Sequence, residues 1–156
     1  MEGVPTRSLR DLAWFERSLE ANASTLFLDD ERLIAGDWDG GIYCWDLEGE
    51  TLWRVQTNNR VTNFVKGANL LFAVCGRDLV CINIETGELQ WDYELEGSSD
   101  LVDCTPDGQT ILATSSVFDL EMNDFIESTL WRFNAEGDLI RSDSIDERPW
   151  AIKMRN

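Results

Sequence analysis

The side chains able to do chemistry in this chain are carboxylates and thiols. It has no histidine, so the commonest general base and metal ligand near neutral pH is missing. The four cysteines, Cys44, Cys75, Cys81 and Cys104, lack the close spacing of a zinc site. Cys44, Cys81 and Cys104 lie in apolar segments that read as strands, where a free thiol behaves as a small hydrophobe. Asp37, Asp39, Asp119 and Asp124 fall near turns, without the dense oxygen-ligand spacing of a calcium loop, and turn chemistry accounts for them. No Gly-x-Ser-x-Gly elbow or phosphate loop is present. The expectation is a protein with no catalytic residue, no metal and no cofactor, hence not an enzyme.

The charge pattern narrows the partners. Thirty acidic and 13 basic side chains give a formal net charge of -17, which repels phosphate backbones and anionic lipid headgroups. Nucleic acid and membrane are therefore not expected as partners. The excess of carboxylates fits adaptation to high salt or a partner with a basic surface. No charged-then-apolar leader opens the sequence and no apolar run nears the roughly 20 residues that cross a bilayer, so the chain is expected in the cytoplasm. With 156 residues and 43% hydrophobic composition it can bury a core, and one domain, 1–156, is expected.

The elements that position these groups emerge from an internal repeat. Trp14, Trp53 and Trp91 recur at spacings of 39 and 38 residues, close to the roughly 40–45 residues of a four-stranded propeller blade and longer than helical repeats of about 33–34. Within each segment, short apolar runs are bounded by Gly, Asp and Asn, the mark of strands joined by tight turns. The second segment reads as strands near Val61–Val65, Leu70–Cys75, Leu79–Ile84 and Leu89–Leu95. The first reads as Thr25–Leu28, Leu33–Gly36, Ile42–Asp46 and Leu52–Gln56, and the third as Leu101–Cys104, Thr110–Val117, Leu130–Asn134 and Leu139–Ser144.

Particular motifs carry a family resemblance. Asn83-Ile84-Glu85-Thr86-Gly87-Glu88-Leu89-Gln90-Trp91 resembles the tryptophan-docking motif of PQQ-like (quinoprotein-like) propellers, and Trp45 to Trp53 resembles it with one residue fewer. Cys104-Thr105-Pro106-Asp107-Gly108 and Ile42-Tyr43-Cys44-Trp45-Asp46 resemble the Ser-Pro-Asp-Gly turn and Trp-Asp strand of WD-repeat blades. The resemblance implies an all-β fold of four-stranded antiparallel propeller blades at about 20–57, 58–96 and 97–146. It assigns Trp14, Trp53 and Trp91 to outer strands, Trp45 and Trp131 to third strands, and all five to structural docking. Arg141 stands where a fourth docking tryptophan would fall.

Three blades make an incomplete ring, since closed propellers use four to eight. After an N-terminal arm at 1–11, a lone outer strand is expected at about Leu12–Leu19. A lone inner strand, about Trp150–Met154 within 147–156, begins a further blade. An uncovered blade face is costly, which leaves three readings: the chain is a piece of a longer polypeptide, or, as favoured, a protein partner is expected, either further copies of the chain in a homo-oligomer or a different chain that completes the propeller.

Binding residues of propellers concentrate in loops at the ends of the blades. One rim would carry Trp38, then Asn58, Asn59 and Arg60, Arg77, the insertion with Phe118, Leu120, Met122 and Phe125, and Trp150. The insertion lengthens the third repeat and reads as a protruding hairpin turning near Asn123-Asp124. The functional expectation is a non-catalytic protein-binding or scaffolding module. The alternative is a fragment of a PQQ-like dehydrogenase or a small-ligand-binding propeller.

Overall fold

In a computed structural model, which describes residues 8–155, the repeat becomes three four-stranded antiparallel sheets. A short helix α1 (Leu9–Leu12), capped by Ser8, precedes them. Blade one contains β1 (Ala23–Leu28), β2 (Arg32–Asp37), β3 (Gly41–Asp46) and β4 (Thr51–Gln56). Blade two contains β5 (Val61–Gly67), β6 (Leu70–Cys75), β7 (Asp78–Asn83) and β8 (Leu89–Glu94). Blade three contains β9 (Ser98–Cys104), β10 (Thr110–Asp119), β11 (Asp124–Asn134) and β12 (Leu139–Ile145). Each sheet keeps its strands in chain order, so hairpin connections suffice throughout.

The middle blade explains why its strands read as continuous apolar runs. Side chains alternate between the two faces of a strand. Leu71, Ala73, Cys75, Val80 and Ile82 enter one core with Ile34, Ile42, Cys44 and Trp53 of blade one. Their neighbours Phe72, Val74, Leu79 and Cys81 enter a second core with Val102, Ile111, Ala113, Trp131 and Phe133 of blade three. A sheet buried on both faces has no polar side to show. The far face of blade one carries a smaller cluster of Ala35, Tyr43 and Trp45, against which Leu19 packs. There the Tyr43 and Trp45 rings stack at 5.8 Å, 4° from parallel.

The docking tryptophans lock one blade to the next. Trp53 lies over Gly87, where an added Cβ would sit 2.8 Å from the indole, and its Nε1 donates to the carbonyl of Ile84 at 2.8 Å. Trp91 lies over Gly137 and donates to the carbonyl of Ala135 at 2.8 Å. Trp45 and Trp131 are buried on third strands, and Trp131 Nε1 donates to Ser115 Oγ at 2.9 Å.

Trp14 departs from this scheme. It is 98% exposed, and the ring over Gly49, the matching turn glycine, belongs to Phe15. The docking column is therefore Phe15, Trp53 and Trp91, with both intervals equal to 38. Alignment on tryptophan alone shifted the first member by one residue, and one residue along an extended chain turns a side chain to the opposite face.

The two lone strands also need correction. Leu12 ends the helix α1, and residues 13–22 form no strand; residues 1–7 of the expected arm lie outside the described residues. Residues 13–22 still cross blade one where an outer strand of a preceding blade would run. Arg17 Nε donates to the carbonyl of Gly49 at 2.9 Å, and the Glu20 backbone N–H donates to the Tyr43 hydroxyl at 3.3 Å. At the other end, Trp150–Met154 is irregular, tied by the Met154 backbone N–H to Asp103 Oδ2 at 2.7 Å. Neither segment has sheet neighbours to take up a row of backbone hydrogen bonds, so each follows its expected path without strand pairing.

Candidate functional site

The rim loops meet at the end of the blades reached by the β2–β3, β6–β7 and β10–β11 turns. Asp37 organises the first of these. Its buried carboxylate accepts from the backbone N–H groups of Asp39 at 2.9 Å and Gly41 at 2.7 Å, and from the Tyr43 hydroxyl at 2.9 Å. Burial pushes its pKa up, but the hydrogen bonds from Gly41, Tyr43 and Asp39 outweigh it and hold the group below the usual carboxylate range. The turn so fixed presents Trp38, which is 51% exposed.

The Arg60 guanidinium, from the loop between blades one and two, lies 3.9 Å from the centre of the Trp38 ring. The backbone beneath it is stitched across all three blades. The Gly76 N–H donates to the Arg60 carbonyl at 3.1 Å, and the Gly76 carbonyl accepts from the backbone N–H and hydroxyl of Ser99 at 2.7 and 2.8 Å. Asn59 packs directly beneath Gly76, while Asn58 lines a groove with Asp78 and Asp92. Both asparagines are exposed at the rim, and Asn59 also supports Gly76. Arg77 pairs at 3.2 Å with Glu94 on the exposed edge of blade two.

Blade three supplies a second guanidinium on an aromatic ring. Arg148 stands 3.9 Å over Phe125 and pairs with Asp100 at 2.6 Å. Asp100 also accepts from Ser116 Oγ, which is in contact with Ser128 Oγ at 2.9 Å. Phe125 is half-buried, edge-on to Phe118 at 5.1 Å, because β10 and β11 pair as far as Phe118 with Phe125 and Asp119 with Asp124. The insertion is thus an extension of the blade's central hairpin, turning through Asn123, whose φ is 52°. Leu120 and Met122 at its tip are exposed, and Trp150 is 89% exposed.

The structure therefore divides the expected rim residues. Trp38 stacks with Arg60 beside a cleft of ≈ 290 Å³ that Arg60, Arg148 and Trp150 line together with Thr62, Asp100, Leu101 and Pro149. Phe118 and Phe125 brace the C-terminal segment, and Leu120 and Met122 stand apart on the hairpin tip. Sequence reasoning missed the pairing of Arg148 with Asp100, residues 48 apart. The available signal was that Asp100 stands near the start of the third blade's inner strand and Arg148 in the stretch after its outer strand, which the repeat places at the same end.

A different surface lies on the outer side of blade one. Trp14, Phe15, Leu28, Leu33 and Leu47 line an apolar cleft of ≈ 650 Å³, bordered by Glu48. Among the described residues, no cluster of three acidic, cysteine or histidine side chains converges on a common metal position.

With this geometry in place, the comparisons with known proteins are informative. The family model described as outer membrane protein assembly factor BamB, a PQQ-like repeat model, matches residues 10–118 and again 38–140. The chain belongs to this PQQ-like repeat family. The two overlapping matches are what a repeat produces, since a model built on blades can be laid over the chain in more than one phase. No curated protein matches the chain.

Among solved structures, the PQQ-like chain is similar to the computationally designed Ika8 protein, with 17% identity and a TM-score of 0.66 over 81% of this chain and 38% of that one. It is similar to the designed Ika4 protein, with 15% identity and a TM-score of 0.68 over 81% of this chain and 74% of that one. A chain of a mitotic checkpoint complex matches at 17% identity and a TM-score of 0.68, over 84% of this chain and 41% of that one. The PQQ-like chain thus spans well under half the length of two of these three neighbours. At such identities the likeness establishes the fold.

Proposed function

We propose that this PQQ-like chain is a non-catalytic binding module, WD-repeat-like in its use of loops, which meets a protein partner through the rim of Trp38, Arg60, Arg148 and Trp150. The observation that carries this reading is an exposed indole, Trp38, held by the stacked guanidinium of Arg60, with a second exposed indole, Trp150, in the cleft that Arg60 lines. Tryptophan and arginine dominate binding hot spots, and a pre-positioned pair loses little entropy on contact.

The absence of catalysis is part of the proposal and has its own support. Burial pushes the Cys44 thiol up to about 11 and the Cys75, Cys81 and Cys104 thiols to about 12, far from the nucleophilic range. All four are buried and unpaired, a pattern that favours a reducing, cytoplasmic setting. The exposed Trp14, Leu26 and Leu28 around the apolar cleft of blade one favour completion by a second copy or another chain.

A photo-reactive residue placed at Trp38 tests the rim, with one at Glu136, in the β11–β12 turn at the opposite end, as the control. Adducts with another polypeptide are expected from position 38 and not from 136. Equal labelling from both positions would remove the rim from consideration. Solution mass at low and high salt then separates completion by copies from completion by another chain. The family match keeps one alternative in view, a PQQ-like dehydrogenase or small-ligand propeller. Turnover of an alcohol on addition of quinone and calcium would establish it and overturn the non-catalytic reading.

A further inference from the structure

We infer that the rim cleft selects an acidic segment of its protein partner, taking a carboxylate on Arg60 and an apolar side chain against Trp150. The inference rests on the proposed rim and adds the chemistry of what it binds. Arg60 and Arg148 reach the same cleft from loops on opposite sides of it. Both guanidiniums are held by aromatic faces at 3.9 Å, so their donor forks are fixed before any ligand arrives.

Their charges are balanced differently. Arg148 is neutralised by Asp100 at 2.6 Å, whereas no carboxylate lies within ion-pair distance of Arg60 among the described residues. Arg10, Arg32, Arg54, Lys66, Arg77 and Arg141 have acidic partners, and Arg17, Arg132 and Arg155 resemble Arg60 in having none within ion-pair distance among the described residues; what sets Arg60 apart is its stack on Trp38 at the edge of a cleft. Stacking on Trp38 leaves the edge of the Arg60 guanidinium, which carries its N–H donors, free of the ring. A planar fork of that kind pairs with a carboxylate through two parallel hydrogen bonds. With Asp100 of its own lining set against Arg148, the cleft carries one uncompensated positive charge, at Arg60. Asp124, Glu127, Asp146 and Glu147 line the adjoining cleft, which shares Trp150 and Arg148, so the carboxylate is expected on the Arg60 side.

Fluorescence anisotropy of the whole chain with a labelled peptide of alternating glutamate and leucine tests this, against the same peptide with glutamine for glutamate. The acidic peptide is expected to bind about tenfold or more tightly than the glutamine version. R60Q should erase the difference, and R60K should restore part of it. The R60Q chain keeps the Arg60 carbonyl that Gly76 uses, and an unchanged thermal transition confirms that it folds. If both peptides bind equally and W150A abolishes both, acidic selectivity is wrong while the rim reading stands. If neither peptide binds, the selectivity is again overturned, and the cross-link at position 38 reports separately on the rim. Preference for the acidic peptide that survives R60Q would place the recognition elsewhere.

Discussion

Blade two and blade one are each clamped from the preceding stretch of chain, yet by different means. Where blade one docks on blade two, one buried side chain supplies both the ring and an N–H donor. Trp53 covers Gly87 and donates to the Ile84 carbonyl, while Arg32 Nη1 of blade one donates to the same carbonyl at 3.1 Å. Where residues 13–22 dock on blade one, the work is divided. Phe15 supplies the ring over Gly49, and Arg17 supplies the donor, to the Gly49 carbonyl itself. The contact thus needs an apolar plate and an N–H, and an indole combines them. A segment with no sheet to stiffen it can deliver the two from separate residues. Between paired sheets, by contrast, the space over the glycine is closed and one rigid side chain fills it.

Truncating the plate should separate the two docking sites most sharply. Trp53→Ala removes a buried ring and leaves the Ile84 carbonyl without its indole donor, at a cost of about 3–5 kcal/mol. Phe15→Ala, at a half-buried ring on an irregular segment, should cost no more than about 1 kcal/mol in the global transition. Urea denaturation measures both. Similar losses would mean that residues 13–22 fold as one cooperative unit with the blades.

The glycines beneath the rings sharpen the same contrast. Gly87 and Gly49 have φ of 76° and 85°, and alanine at either position meets the left-handed penalty of about 1–2 kcal/mol. At Gly87 the new methyl also drives into Trp53, which is packed and cannot withdraw, adding about 1–3 kcal/mol. At Gly49 the obstacle is Phe15, and its segment can lift. Gly87→Ala should therefore destabilise by more than Gly49→Ala, as read from the denaturation midpoints. A reversed order would show that Phe15 is the more firmly seated ring.

Most of the blade architecture was legible because two-sided burial and glycine-acid turns repeat in the sequence itself. The reading of Leu70–Cys75 coincides with β6, a strand whose two faces feed two different cores. Trp14 was misplaced because chemical identity with Trp53 and Trp91 outweighed the spacing, and the functional equivalent, Phe15, is a different residue type. Strand length in the insertion was underread for a related reason. The hairpin expected to turn near Asn123-Asp124 is found, but Asp119, Glu121 and Asp124 look like loop composition, and it is the pairing of Phe118 with Phe125 that makes the hairpin a direct continuation of β10 and β11. At the rim, the repeat told which loops gather, while the stacks of Arg60 on Trp38 and Arg148 on Phe125 depend on side-chain directions across loops, which no periodicity encodes.

A smaller effect tests the division of labour directly. Arg17→Ala removes one part-buried hydrogen bond and should cost about 0.5–1.5 kcal/mol, confined to the docking of residues 13–22. Phe15→Trp in that background brings an indole N–H to the same turn and should recover part of the loss. Hydrogen exchange at Gly49 and its neighbours detects both changes. Failure of the indole to recover protection would show that the two docking sites differ in backbone path and not only in residue type.

The matching β2–β3 and β6–β7 turns extend the comparison to pH, with the smallest effect and a change of sign. Asp37 is pulled up by burial but more strongly down by its three donors, so its folded pKa lies below the unfolded value near 3.8. Its contribution is present above that value and is lost as pH falls through the folded pKa. Asp78 in blade two is raised by burial and then by the nearby Asp92 and Glu94, against weaker lowering by Asn58 and Arg77. Ionised Asp78 therefore opposes folding at neutral pH, and its stabilising contribution is whole only below the unfolded pKa. Asp78→Asn should raise the urea midpoint at neutral pH, with the gain vanishing in acid. Asp37→Asn should lower the midpoint at neutral pH, with a loss that shrinks in acid toward the part due to misplaced donors. A neutral-pH loss for Asp78→Asn would mean that the attraction of Arg77 for ionised Asp78 outweighs burial and the crowding of three carboxylates, and that both turns are built on the same favourable logic.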